Sequence, residues 1–503
     1  MERVIRYLQS VDRYQGALTT YEACQEIATI LREFNRDGEI HVRTYEAGSG
    51  KKYLGFDAPT PWTLLDGKLR ASTASGKLVL SLQHEVQPLL VATNSCGFSG
   101  VAKLLEYCPD ADIQNCIVLF RGDRSTFARI YEDVERRGAY GIVTDAFCKT
   151  IQDVEARGRI ELPNDSTMFV CSITREEVST LLDAMVEEPA EAKVQIEVEN
   201  AGDISVLEYR NTGAHKSPAA SEVWITAHIC HPRPGANDNA SGVAVAVELA
   251  HLLHQIELCG GETPSVRIIF APEYVGLAAY LADCRERAGF VINIDTVGGD
   301  PDITGAPIEL ELPPPYLSSE YDEQLVATMI KLGPNFDGAR EPVVIPFVGY
   351  SDHALFAASC INIPAVQFGQ SSDPFNHTDL DLIKNISFPQ LEWICSTILR
   401  FLTFNTAKPH EEEADEVSAM SVPFNIRSFL NCCSIEERML ISSDLQKNKK
   451  IYMFLQKIWL GMQRGINKKF FDEKDFEGIH ELDSSEIERY VEIVRNVRNS
   501  LKV

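Results

Sequence analysis

Five residues able to bind a cation or move a proton stand where apolar, β-branched runs give out. His228 follows Val223–Ala227, and Asp238 lies in the next segment, ICHPRPGANDNASG. Glu273 follows Val266–Phe270, Asp295 follows Phe290–Ile294, and His377 lies in the GQSSDPFNHTDLD segment after Ile363–Phe368. In an open parallel α/β sheet, ligands bind just beyond the carboxyl ends of the strands, so these strand ends would deliver all five to one rim. Imidazoles and carboxylates in this number are what a borderline cation such as zinc takes as ligands. A carboxylate between two cations can bridge them, and a spare glutamate can take a proton from an activated water. Singly, an Asp or His at a strand end is a cap or a hydrogen-bonding partner; the ordered set is what points to a metal site.

The elements that must position them change rhythm along the chain. Residues 1–57 open with helical periodicity (Ala23, Ile27, Ile30, Leu31, Phe34) and turn strand-like at Ile40–Tyr45. A Pro-rich APTPW stretch begins a β-rich region over 58–192, with strand-like runs at Leu78–Leu82, Leu89–Ala92 and Cys116–Phe120. From 193 to 407 strands alternate with helical patterns, the signature of a sheet covered by helices. After Val223–Ala227 the apolar face Val243, Val247, Ala250, Leu252 and Leu253 marks one such helix. The acidic linker KPHEEEADEVSAMSVP then leads to a helical unit over 420–503.

Composition narrows the class. The chain of 503 residues is 45% hydrophobic and 24% charged, with a net charge of −26. It therefore reads as a soluble globular protein of several domains, not a disordered or fibrous one. The acidic field repels phosphate backbones and anionic headgroups, which argues against nucleic-acid or membrane partners and favours cationic ligands such as a free amino terminus. The start, MERVIRYLQSVDRYQG, has no apolar core of a secretory signal, and the 13 cysteines are scattered without a C-x-x-C pair. A cytoplasmic location is the expectation.

The segment AHICHPRPGANDNASG resembles the H-x-D…G-x-N-D-N-x-S-G core of the co-catalytic zinc aminopeptidases. That superfamily also contains glutamate carboxypeptidases, the animal glutaminyl cyclases and the transferrin receptor ectodomain. PEYVGL, NIDTVG, SDHALF and NHTDLD follow in the family's order. CIVLFRGDRSTFARIYEDVERRGAYGIVTD is similar to a protease-associated domain. The fold implied is α/β: a zinc-exopeptidase-type mixed sheet covered by helices, with a β-rich protease-associated insert and a C-terminal helical, winged-helix-like domain. The H-x-C-H-P core is similar to that of a subgroup of aminopeptidase-like proteins with both additions.

By that resemblance His228 and Asp295 would bind one zinc, His377 the other, and Asp238 would bridge them. Glu273 would be the general base. Tyr274 stands where the family has a second glutamate that binds the second zinc, and a neutral phenol is a poor zinc ligand. One tightly held zinc and a doubtful second are therefore expected. Cys230 stands where the family usually has an aspartate orienting its histidine ligand, and it reads as a small buried residue. His231 reads as a loop histidine held by local hydrogen bonds, with an accessory metal ligand as the alternative. Cys230, Tyr274, Asp352 and His353 would brace the metal ligands or line the substrate pocket.

The function implied is zinc-dependent, aminopeptidase-like hydrolysis of an amide beside the free amino terminus of a peptide or aminoacylated small molecule; a homo-oligomer stays open. The alternatives are a non-catalytic binding protein on a peptidase fold and a single-zinc acyl transferase like the glutaminyl cyclases. Ser351-Asp352-His353 has the residue types of a hydrolytic triad, but three consecutive residues cannot adopt triad geometry. Arg121-Gly122-Asp123 reads as the start of a turn, not an adhesion motif.

Overall fold

The structure is a computed structural model that describes residues 1–35, 38–211 and 222–404. The C-terminal unit expected over 420–503 lies outside the described residues. Among these residues the chain builds two large sheets. The first runs in the order Glu39–Tyr45, Ile204–Arg210, Val266–Ala271, Val223–His228, Phe290–Ile294, Ala365–Gly369, Glu309–Glu311, Val343–Ile345. Its four central strands, from Val266–Ala271 to Ala365–Gly369, pair in parallel. The sheet is mixed because Ile204–Arg210 and Glu309–Glu311 join the central set antiparallel.

Burial on both faces explains why the central strands read as continuous apolar runs. Every residue of VWITAH, VRIIFA and FVINI is buried. Alternate side chains serve opposite layers. Ile225, Ala227, Ile268 and Phe270 pack with the helices Leu18–Phe34, Gly242–Leu258 and Phe388–Phe404. Trp224, Ile269 and Val291 pack on the other side with Leu277 and Tyr280 of helix Val275–Asp283 and with Leu355 and Phe356. The apolar stripe expected after the first central strand is the buried face of Gly242–Leu258; Leu252, only half-buried, sits at its margin.

The second sheet runs Phe169–Ser172, Gly141–Thr144, Ile117–Phe120, Phe98–Glu106, Ala190–Glu199, Thr63–Thr73, Leu78–Gln83. It has cores of its own around Leu69, Leu104, Leu119 and Val194, and under helix Arg124–Arg136. Two expected strands differ. The run beginning at Ile363 becomes a strand only at Ala365, because Pro364 has no N–H to give the ladder. Leu89–Ala92 is not a strand: Leu89 has φ 72°, and Val91 makes a single bridge to Cys171. Among the described residues, no helix is long and apolar enough to cross a membrane.

Candidate metal centre

The parallel strands end together, and each end hands a polar side chain to the same rim. His228 closes its own strand, Asp295 follows Phe290–Ile294, and Glu273 follows Val266–Ala271 after Pro272. His377 arrives from the loop after Ala365–Gly369. Tyr274, Thr296 and His377 all have positive φ, at 55°, 54° and 61°, so the backbone changes direction sharply at three strand ends of one rim. Non-glycine residues in that region are uncommon and cluster at functional sites.

The five expected residues come together as two adjoining groups. His228, Glu273 and Asp295 can direct one ligand atom each at a common point, and His231, Asp238 and His377 can do the same beside them. Asp238 belongs to both neighbourhoods. Its Oδ1 lies 3.2 Å from His228 Nε2, and its Oδ2 lies 3.0 Å from His377 Nε2 and 3.2 Å from His231 Nε2. His228 Nε2 is also 3.2 Å from Asp295 Oδ1. Zinc–ligand bonds of about 2.0–2.1 Å at tetrahedral angles set neighbouring donors about 3.3 Å apart. The spacings found here, which are also those of hydrogen-bonded ion pairs, would fit donors arranged around such a cation, and the imidazole–carboxylate set suits zinc.

Electrostatics agree. Burial alone would lift the Asp238 carboxyl, but the His228 and His377 imidazoles against its oxygens hold it well below the usual carboxylate range. Burial opposes a charge on His228, yet Asp295 and Asp238 attract one strongly enough to raise it well above its ordinary value. The site is thus electronegative enough to draw in positive charge. Glu273 is raised above its ordinary value by burial, against the pull of His228 and with repulsion from Asp295 and Asp238. A carboxyl so shifted is better matched to proton transfer near neutrality.

The GANDNASG motif explains how Asp238 is held. Asn237 Oδ1 accepts from Gly298 N (2.6 Å), while its Nδ2 donates to Asp373 (2.7 Å). Asn239 Nδ2 donates to the Ile294 carbonyl (2.9 Å), and its Oδ1 accepts from Thr296 N (3.2 Å). The asparagines on either side of Asp238 therefore tie it to the loop bearing Asp295. Gly242 is required because a Cβ there would run into the Ile294 carbonyl and the Asn239 amide. Beneath them Asp381 accepts from the backbone nitrogens of Asn237 (2.7 Å) and Asp238 (3.0 Å). Asp381 went unremarked in the sequence, where it is only one more acid in NHTDLD.

The residues expected as supports take distinct places. Cys230 is buried, as expected, and its backbone carbonyl orients His228 by accepting from Nδ1 at 3.0 Å. A main-chain oxygen thus does what the missing aspartate would do. The Cys230 thiol accepts from Glu273 N at 3.1 Å. Tyr274 turns away from the rim: its hydroxyl donates to the Gly349 carbonyl (3.3 Å) and its ring stacks on Phe56. Asp352 accepts from Tyr274 N at 2.6 Å, and burial and the neighbouring Glu273 push it up to about 8. His353 is fully buried against Glu311 (2.7 Å), which also accepts from Val348 N and Gly349 N. His353 therefore fixes the 347–353 loop and joins neither metal group.

The sequence favours a loop role for His231 over that of an accessory ligand, and the structure places it with Asp238 and His377. It does make the local hydrogen bond expected of it, Nδ1 to the Pro232 carbonyl at 2.6 Å. Its other nitrogen faces Asp238. Burial, with Arg159 and His377 nearby, pushes it down to about 4 despite the pull of Asp238, so the ring is neutral near pH 7. Arg13, buried near the N-terminus, braces this turn by donating to the carbonyls of His231 (2.9 Å, from N) and Ile229 (2.7 Å, from Nε).

A cavity of about 880 Å³ opens beside Glu273 and His377, its far wall built by the second sheet region with Phe127, Tyr131, Phe147 and Arg159. Arg159 N donates to the His377 carbonyl at 2.9 Å, and no sequence signal marked that contact.

The fold has counterparts among solved structures. The structure is similar to a putative peptidase from Clostridium acetobutylicum (TM-score 0.58, 17% identity, covering 83% of this chain and 85% of that one). It is similar to a zinc aminopeptidase from Bacillus subtilis (TM-score 0.57, 18% identity, 82% and 96%). A peptidase M28 precursor from Shewanella amazonensis is also similar (TM-score 0.53, 13% identity, 81% and 93%). At such identities the likeness speaks for the fold, and the chain has the mixed α/β fold of these peptidases. A search of curated proteins finds no match. Residues 29–404, which carry both ligand groups and Glu273, match the model of a domain of unknown function, DUF4910, and the chain belongs to that family.

Proposed function

We propose that the protein is a zinc-dependent hydrolase of the aminopeptidase type, cleaving an amide beside a free amino terminus. The observation that carries this is Glu273, a half-buried carboxyl set beside two imidazole–carboxylate groups that share Asp238, on the wall of a substrate-sized cavity. His228, Asp238 and Asp295 would hold a zinc, which supplies Lewis-acid polarisation of the scissile carbonyl and lowers the pKa of water. Glu273 takes a proton from the attacking water and passes it to the leaving amine nitrogen as the C–N bond breaks. Asp295 and Asp238 keep the rim negative, which favours a protonated amino terminus close by.

The test is hydrolysis of a panel of aminoacyl amides by the full-length protein, with and without a chelator. Release of the free amino acid that stops on chelation and returns with zinc supports the reading. No turnover of any substrate by zinc-loaded protein, or ring closure without hydrolysis, overturns it.

A further inference from the structure

We propose that His231 completes a second cation site with Asp238 and His377, taking over the place that Tyr274 has left. The inference rests on the metal-dependent reading above and deepens it: the second position would be held by two imidazoles and one oxygen of the shared carboxylate.

The first support is an orphaned atom. His231 is 2% exposed, and its Nε2 makes no hydrogen bond although Asp238 Oδ2 is only 3.2 Å away. With Nδ1–H committed to the Pro232 carbonyl, Nε2 carries a lone pair. A lone pair pointed at a carboxylate oxygen is two acceptors face to face. Left so, the buried imidazole nitrogen pays the cost of a polar group without a partner. A cation bound by both would satisfy that lone pair, and the second imidazole is already there: His377 Nε2 is 3.0 Å from the same oxygen, and the two rings stack at 5.6 Å with 30° between their planes.

The second support is how firmly the imidazole is aimed. Arg13 N holds the His231 carbonyl, Pro232 holds Nδ1, and Gly235, with φ 50°, passes so near that a Cβ there would sit 2.6 Å from Nδ1. Only glycine lets the backbone run alongside the ring. The third is that the Tyr274 hydroxyl is engaged with Gly349, so the neutral phenol is not a competing ligand. Two nitrogens and a carboxylate oxygen select a borderline divalent ion such as zinc or cobalt over magnesium or calcium, which want oxygen donors.

Zinc titration of the full-length protein and of His231→Asn tests this. The asparagine amide can still donate to the Pro232 carbonyl, but nothing replaces the Nε2 lone pair. Wild type should take up about two equivalents and His231→Asn about one, with the melting temperature of the zinc-free protein little changed. X-ray absorption on zinc-loaded wild type needs no variant and should count about three imidazoles over the two cations, where His228 and His377 alone would give about two. Two equivalents retained by a folded His231→Asn, a wild type that takes only one, or an imidazole count of two would each overturn the assignment and leave the hydrolase reading standing. A wild type that binds no zinc would sink the hydrolase reading itself.

Discussion

Glu273 is tied down through its main chain, with N on the Cys230 thiol and its carbonyl on Gln15 Nε2 at 3.2 Å, while its carboxyl projects among the ligands. A base must be fixed in place yet have its oxygens free to take a proton, and these contacts would suit Glu273 to the role proposed for it. Glu273→Gln is nearly isosteric and leaves both main-chain bonds intact, but the amide cannot accept a proton from water. The expected result is retained fold and zinc with turnover lowered by about 10²–10⁴-fold, the usual worth of a positioned base. Zinc content and rate measured on the same preparation decide it. Loss of zinc would make Glu273 a ligand, and unchanged turnover would remove it from the chemistry. The neighbouring Tyr274 has the opposite arrangement, with its side chain engaged elsewhere, which is why adjacency in sequence says little about shared duty here.

Among the elements, the loop bearing His377 depends most on a partner from another part of the fold. Arg157 N donates to Asp379 Oδ1 (2.9 Å), Asp379 N donates back to the Arg157 carbonyl (3.0 Å), and the Arg157 guanidinium pairs with Asp379 and Glu177. Gly158 bridges Thr378, and Lys149 Nζ reaches the Asn376 carbonyl at 2.7 Å. The second sheet region thus clamps the loop from residue 376 to 379 while forming the far wall of the cavity. Arg157→Ala keeps the backbone bonds but leaves two largely buried carboxylates without their cation. Outer contacts of a metal ligand are commonly worth about 10–100-fold in affinity, and the weaker of two zinc affinities should fall by that amount. Competition against a graded chelator measures it; unchanged affinities would mean the loop supports itself.

At the scale of the whole molecule, both sheets, their cores and every candidate ligand found among the described residues lie within residues 1–404. The acidic linker beyond them would separate a further unit. A chain ending at Phe404 should therefore fold and hold as much zinc as the full-length protein, by elemental analysis after dialysis. A truncated protein that is folded yet zinc-free would place a ligand, or an essential brace, in the last hundred or so residues. The second sheet region is a different case. Its contacts with the His377 loop make it part of the site's construction, and cutting it out would remove one wall of the cavity as well as the clamp.

The central strands, the helix after the first of them and the five strand-end residues were legible in the sequence for local reasons. Strands buried on both faces must be apolar throughout, so they show as runs, and whatever polar residue ends a run must sit at the rim. What the sequence could not decide is which way a side chain turns once it is there. Tyr274 looked like a degraded ligand, and three-dimensional packing sends it to Gly349 and Phe56. Cys230 looked like the loss of an orienting carboxylate, and its main-chain oxygen, invisible as a residue type, does the orienting. His231 looked like a loop residue because its neighbour Pro232 offers it a local bond; its second nitrogen meets Asp238 and His377 only when chain segments far apart in sequence converge. Arg157 and Arg159 gave no signal at all, since their contacts join two sheets over more than two hundred residues of sequence. Periodicity and residue type determine what reaches the rim, because they reflect burial along one element. The direction of each donor depends on hydrogen bonds and packing between elements, and only the tertiary structure decided those.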